Sequence, residues 1–236
     1  MRVVYRLSER VAGFDFFPWL VMERSRGATE VVLDTRNPNT GKWSPAKVAQ
    51  RIDSILAPGA ALAGMTCSIG WEGDMEPTPG YSGPLVEAVR AGLVIPRLKS
   101  VLPAGSARYT ITMRREERAP SRNSDPKVWG DFAAEIGALI IPDYGDAPIH
   151  LHDRMALYAG AEMNFFVTNG PVMLGFLSEY PTMGFDVSES PPKHVGLDWR
   201  SGEKYPWLLP QHRQFYERPT AEFIRDRFYA WRDGRG

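Results

Sequence analysis

Several absences narrow the chain before any motif is read. There is a single cysteine, Cys67, in 236 residues, which excludes an internal disulfide framework and a thiolate zinc cluster and fits a reducing compartment. Cys67 itself reads as a small buried hydrophobe. Charge of one sign is not in excess: 28 Lys and Arg offset 28 Asp and Glu. Bulk electrostatics therefore point to neither nucleic acid nor an anionic membrane as partner, and any anion binding must be local. No stretch reaches about 18 uninterrupted apolar residues, and the N-terminus lacks the apolar core of a secretory signal, so no membrane span is expected and the expected location is cytoplasmic. Neither G-x-S-x-G, G-x-G-x-x-G nor G-x-x-x-x-G-K-[ST] occurs. That removes support for a serine-hydrolase elbow, a dinucleotide fingerprint and a P-loop.

What is present is an ordinary globular composition, 43% hydrophobic and 24% charged, with apolar segments that alternate between strand-like and helix-like periods. Residues 3–7 and 30–34 read as short buried strands flanking a helix over about 15–26, a β-α-β unit. Ser44 followed by Pro45 starts a second helix, with Pro58-Gly59 expected to stop it, and residues 61–69 read as a third strand. A helix is expected to begin at Pro84 and bend at Pro96. Pro103-Ala104-Gly105 divides the chain into two halves, 1–104 and 105–236.

In the second half, strands are expected at 109–113, 139–141, 164–167 and 181–185. Helices are expected from Pro126 (capped by Ser124 or Asp125), over 151–160, and over 170–177. Residues 186–219 show little periodicity and are expected to wrap over an existing core. Thr220 then caps a closing helix. The fold class expected is α/β, with two small Rossmann-like halves and mostly parallel sheets.

Four arginines, Arg114, Arg115, Arg118 and Arg122, fall within nine residues just past a strand. A guanidinium is a permanently charged planar fork that suits phosphate, and ligands of open parallel sheets sit at the carboxyl ends of the strands. Asn123 and Ser124 follow in the same loop. A second strand ends at Thr168-Asn169-Gly170-Pro171, where Gly170 permits close backbone approach and the helix start offers free N–H groups. The expectation is that both segments share one rim and hold an anion. His150, His152 and Asp153 admit a metal reading, but no recognisable ligand spacing accompanies them. The preferred reading has Asp153 capping the next helix and a histidine bonding a backbone or ligand oxygen. The loop over 71–83, with Glu72, Asp74 and Glu76, reads either as a surface excursion or as an acceptor-side lid.

At YTITMRREERAPSRNS and DRMALYAGAEMNFFVTNGPVMLGF, residues 108–185, the chain resembles the carboxyl-terminal half of glycosyltransferases of GT-B architecture, fucosyltransferase-like and heptosyltransferase-like groups in particular. In the former a His-x-Arg-Arg segment binds the donor diphosphate. Thr112-Met113-Arg114-Arg115 stands at that place, with Thr112 where the histidine would be. The resemblance implies a nucleotide-sugar donor bound by Arg114, Arg115, Arg122, Asn123, Ser124, His150, Asp153, Thr168, Asn169 and Gly170. It further implies transfer to an unidentified acceptor, with no metal and no cofactor, and candidate bases Asp15, Glu72 and Asp74. The chain is shorter than is usual for such transferases. A binding or assembly protein that retains the fold is therefore the alternative, and a metal-dependent hydrolase a more distant one.

Overall fold

The computed structural model describes residues 1–7, 14, 16–35, 44–70, 82–115, 120, 123–143, 149–167, 170–185, 197 and 201–234. The fold is α/β with two parallel sheets. The first sheet joins β1 (Arg2–Arg6), β2 (Glu30–Asp34) and β3 (Thr66–Ile69) in the order β1-β2-β3. Its pairings are all parallel, with Arg6 level with Asp34 and Leu33 level with Ile69. Helix α1 (Phe16–Ser25) links β1 to β2 and is buried from Phe16 through Met22. Arg24, in its last turn, donates to the Ala28 carbonyl at 3.0 Å, where a cation also complements the helix dipole.

Between β2 and β3 the chain runs as one helical rod in three parts: α2 (Pro45–Arg51), a π turn (Ile52–Leu56) and α3 (Ala57–Leu62). Ser44 caps it, its Oγ accepting from the Lys47 amide at 3.3 Å. Pro58-Gly59 does not stop the rod, contrary to the sequence expectation, and strand β3 starts at Thr66 instead of Ala61. In a regular α-helix the Pro58 ring would collide with the carbonyl four residues earlier, whereas the wider π turn, closed by the Ala57 amide onto Ile52, gives the ring room. Gly59 is needed for space: a Cβ there would lie 2.9 Å from the Phe17 ring. Helix α4 (Ser82–Arg90) ends well before the expected bend at Pro96, with Gly92 at φ 97° turning the chain out of it.

The second sheet contains β4 (Tyr109–Arg114), β5 (Leu139–Asp143), β6 (Met163–Val167), β7 (Thr182–Phe185) and β8 (His212–Phe215) in the order β5-β4-β6-β7-β8, all parallel. Numbered within that half, the order is 2-1-3-4-5, so the direction of winding reverses between β4 and β6. Strand alternation sorts the two faces. Tyr109, Ile111, Met113, Met163, Phe165 and Val167 face α5 (Pro126–Ile136) and α8 (Ala221–Arg232) in one core cluster. The opposite face carries Thr110, Thr112, Asn164 and Phe166 and is covered by α6 (Leu151–Gly160), α7 (Val172–Phe176) and the N-terminal half, whose core cluster is continuous with it. The polar residues on that face are satisfied locally: Thr110 Oγ1 donates to Asn164 Oδ1 at 2.6 Å, and Asn164 Nδ2 donates to the carbonyls of Tyr158 and Pro181, each at 3.0 Å.

Strand β8 lies inside the stretch expected only to wrap over the core. Its sequence, HRQF, is polar, but His212 and Gln214 point inward and are buried. Gln214 Oε1 accepts from the Tyr205 amide at 3.2 Å, which removes the cost of burying it.

The connection between the sheets packs on α6 at backbone range. Gly160, the last residue of α6, packs on Gly105, whose amide donates to the Ala156 carbonyl at 2.8 Å. The two halves themselves approach closely where a Cβ on Gly170 would meet the Phe14 side chain at 2.7 Å. Phe14 follows β1 and Gly170 follows β6, so loops from the carboxyl ends of both sheets meet there.

Candidate anion site

Because β4 and β6 are parallel neighbours, with Thr112 level with Phe166, the chain leaves β4 at Arg114 and leaves β6 at Val167 on the same edge of the sheet. This is also the edge where the strand order reverses, the place where open α/β sheets leave a crevice. Arg114 is half-buried and, by strand alternation, shares the face of Thr112, toward α6. Arg115 is exposed. The arginine pair and Gly170 therefore lie at a common rim.

The loop that follows β4 is clipped shut at its base. The Arg114 amide donates to Ser124 Oγ at 2.8 Å, and the Ser124 amide donates to the Arg114 carbonyl at 3.0 Å. Asn123 closes a turn inside the loop through its amide to the Pro120 carbonyl at 3.1 Å. Of the two cap residues open on sequence grounds, Asp125 does the capping: its Oδ1 accepts from the Lys127 and Val128 amides at 2.9 and 3.1 Å. Ser124 is thereby left to tie α5 back to β4. Removing its hydroxyl leaves the Arg114 amide without that acceptor. Ser124→Ala is expected to lower stability by about 1–2 kcal/mol, read as a fall of a few degrees in Tm with faster exchange of the Arg114 amide.

A third guanidinium, not singled out from the sequence, lies beside the pair. Arg154 on α6 is 2% exposed. Its Nη1 donates to the Tyr158 hydroxyl at 3.3 Å and its Nη2 to the Pro142 carbonyl at 3.2 Å, near the carboxyl end of β5. The Tyr158 hydroxyl also meets Thr112 Oγ1 at 2.7 Å. Residues from β4, β5 and α6 thus hold a buried cation under the rim. The signal available was the residue itself, an arginine one turn into a helix whose neighbours Met155 and Tyr158 are core. Asp34 was also missed. It ends β2, is almost fully buried, and pairs with Arg6 at 3.4 Å, so its charge is already balanced.

Several expectations change. Gly170 leaves room for Phe14, so the missing side chain serves packing between the halves and not only the approach of a ligand. Helix α7 has five residues, too few for an appreciable macrodipole, so its start adds little attraction for an anion. His150, not Asp153, caps α6: its Nδ1 accepts from the His152 amide at 3.3 Å. His152 Nε2 lies 3.2 Å from the Pro58 carbonyl, which only accepts, so that nitrogen carries the proton. Both rings are thus engaged with backbone, and no group of three or more His, Cys, Asp or Glu able to hold a metal occurs among the described residues. Asp153 sits in the first turn of α6, where its charge complements the dipole.

Burial pushes the Cys67 thiol up to about 11, well away from thiolate chemistry. Asp15, Glu72, Asp74, Arg122, Thr168 and Asn169 lie outside the described residues. No helix among the described residues is long and apolar enough to cross a membrane. No family model, curated protein or solved structure matches the chain.

Proposed function

We propose that the protein binds a nucleotide-sugar diphosphate at the carboxyl rim of the five-stranded sheet and transfers the sugar to an acceptor hydroxyl. The observation that carries the reading is the position of Arg114 and Arg115, which leave β4 where the strand order reverses, beside β6. Arg154, held by Tyr158 and Pro142, adds a fixed positive charge close by. In the reaction the acceptor oxygen bonds to the anomeric carbon while the bond to the diphosphate oxygen breaks. The hydroxyl proton passes to a base, and the diphosphate leaves with the bonding pair. Preorganised guanidinium groups stabilise the charge that develops on that leaving group without needing to reorganise. The resemblance to GT-B glycosyltransferases supports the same substrate class, and a shared fold does not by itself fix an activity.

A thermal-shift panel of GDP, UDP and ADP and their sugar conjugates tests this. At a concentration about 100-fold above Kd, ligand binding stabilises by about 2.7 kcal/mol, a rise in Tm of roughly 5–10 °C for a chain of this length. Arg115→Ala is expected to remove the rise while leaving the unliganded Tm within about 1–2 °C, because Arg115 is exposed. No shift with any of these ligands would favour a binding or assembly protein instead.

A further inference from the structure

The segment from Glu203 to β8 fastens the two halves together at a place remote from the anion rim. Glu203 forms an ion pair with Arg90 at the end of α4, and its carbonyl accepts from the Tyr216 hydroxyl. Tyr205 and Trp207 stack on each other with ring centroids 4.6 Å apart, inside the core cluster that both halves share. The Trp207 carbonyl accepts from Arg97 Nη2 at 2.9 Å, and Arg97 Nη1 reaches the Phe176 carbonyl at 3.4 Å. Arg97 belongs to the connection between the sheets, so its guanidinium joins that connection to α7 and to the segment at once.

His212 ends this fastening and opens β8. It is 4% exposed, with its ring 5.9 Å from that of Phe176. Its Nδ1 accepts from the Leu209 amide at 3.1 Å, so the neutral ring must carry its proton on Nε2, which faces the Tyr180 carbonyl without a well-formed hydrogen bond. A proton added at Nδ1 would set one donor against another, the new N–H against that of Leu209. It would also place a second cation in a buried site beside Arg97 and Arg213. Glu179 is the carboxylate felt there, and it acts on Arg97.

We propose that residues 203–215 form an acid-released clasp between the two sheets, with His212 as its trigger. Burial, Arg97 and Arg213 pull the imidazole down to about 4. A group whose folded value is lowered favours the folded state above its unfolded value, near 6.5, and loses that advantage as pH falls toward the folded value. The window is therefore about pH 6.5 to 4. The linked opening constant should rise about 60-fold between pH 7 and 4.5, from the ratio of total to unprotonated imidazole in the open form relative to that in the closed form.

Hydrogen exchange on the full chain, corrected for the intrinsic pH dependence of the chemical step, reads this directly. Amides of 203–215 should lose protection between pH 7 and 4.5, while β4 and α5 keep theirs. In His212→Asn, whose Oδ1 can replace Nδ1 as acceptor for Leu209 but does not titrate, the segment should stay protected at pH 4.5. Loss of protection in the variant equal to that in the wild type, or uniform loss across the wild-type chain, would overturn the proposal. Should the variant fail to fold, the wild-type imidazole signal of His212 decides: a midpoint coincident with release of the segment supports the clasp, and protonation of the imidazole with the segment still protected refutes it.

Discussion

Replacing Gly160 by alanine is expected to cost about 3 kcal/mol or more and to lower Tm by roughly 6–12 °C in a chain of this size. The reason is space, not backbone conformation, since Gly160 lies in regular helix at the end of α6 and is not among the residues of positive φ. A Cβ there would fall inside contact distance of the Gly105 carbonyl oxygen and 2.7 Å from its carbon. Those atoms are backbone and cannot rotate away. Nor can Gly105 retreat cheaply, because its amide is bonded to Ala156 and its own Cα faces the Leu157 backbone, which a Cβ on Gly105 would meet at 3.1 Å. The two glycines, one at the end of α6 and one in the connection between the sheets, therefore interlock, and a methyl group at either has to move that connection.

A control in the same protein separates this clash from helix propensity. Gly130, in the middle of α5, has open space on its side-chain side: a Cβ there would have nothing within 4 Å. Gly130→Ala should stabilise by about 0.5–1 kcal/mol, because alanine loses less backbone freedom in a helix than glycine does. Calorimetry on the two variants checks both signs. A Gly160→Ala protein within about 1 kcal/mol of wild type would mean that α6 and the connection between the sheets do not pack at this contact.

The parts of the fold readable in the sequence were those where one local signal dominates. VVLD at 31–34 is an unbroken apolar run closed by a charge, and YTITM alternates with the sheet; both are strands. Ser44-Pro45 and Thr220 mark helix starts that the structure keeps, with Thr220 Oγ1 accepting from the Phe223 amide at 3.2 Å. What escaped was decided by tertiary partners. Pro58 sits inside a helical rod because a π turn upstream relieves its ring, and no local rule announces that turn. HRQF becomes a strand because β7 and Tyr205 supply partners for groups that look solvent-loving in isolation.

The site divides in the same way. That Arg114 and Arg115 leave the sheet beside β6 followed from strand order, and the residues over 164–170 carried a turn signal of their own. Arg154 was invisible because an arginine on a helix is usually surface, and only the meeting of Tyr158, Thr112 and Pro142 makes a buried place for one. Gly170 was given a role toward ligand because nothing local to it reveals Phe14, more than 150 residues away in the chain. Histidines spaced at 150 and 152 looked like a ligand pair for lack of the same knowledge. Backbone groups at His152 itself and at Pro58 take up the two rings.

Phe132→Ala should have the second large effect, a loss of about 3–5 kcal/mol. Phe132 is almost completely buried on α5, and its ring makes edge contacts with Trp129, Phe165 and Phe228 at centroid distances of 6.3, 5.4 and 5.6 Å. One side chain thus joins α5 to β6 and to α8, and the aromatic layer it centres is separate from the core that the two halves share. A cavity there cannot collapse easily, because Phe165 is fixed by its strand and Phe228 is held against Tyr109 at 5.4 Å. With a urea slope of about 2–3 kcal/mol/M, the midpoint should fall by more than 1 M, followed by tryptophan fluorescence. Phe132→Leu, which keeps most of the volume, should cost far less. The consequence reaches the rim: α5 begins at Asp125, next to the Ser124 clip that closes the arginine loop, so loosening α5 frees that loop to move. Phe132→Ala should then weaken nucleotide-induced stabilisation even at temperatures where the variant is folded, whereas Phe132→Leu should retain it. Equal ligand shifts in both variants would show that the arginine loop is held by β4 alone.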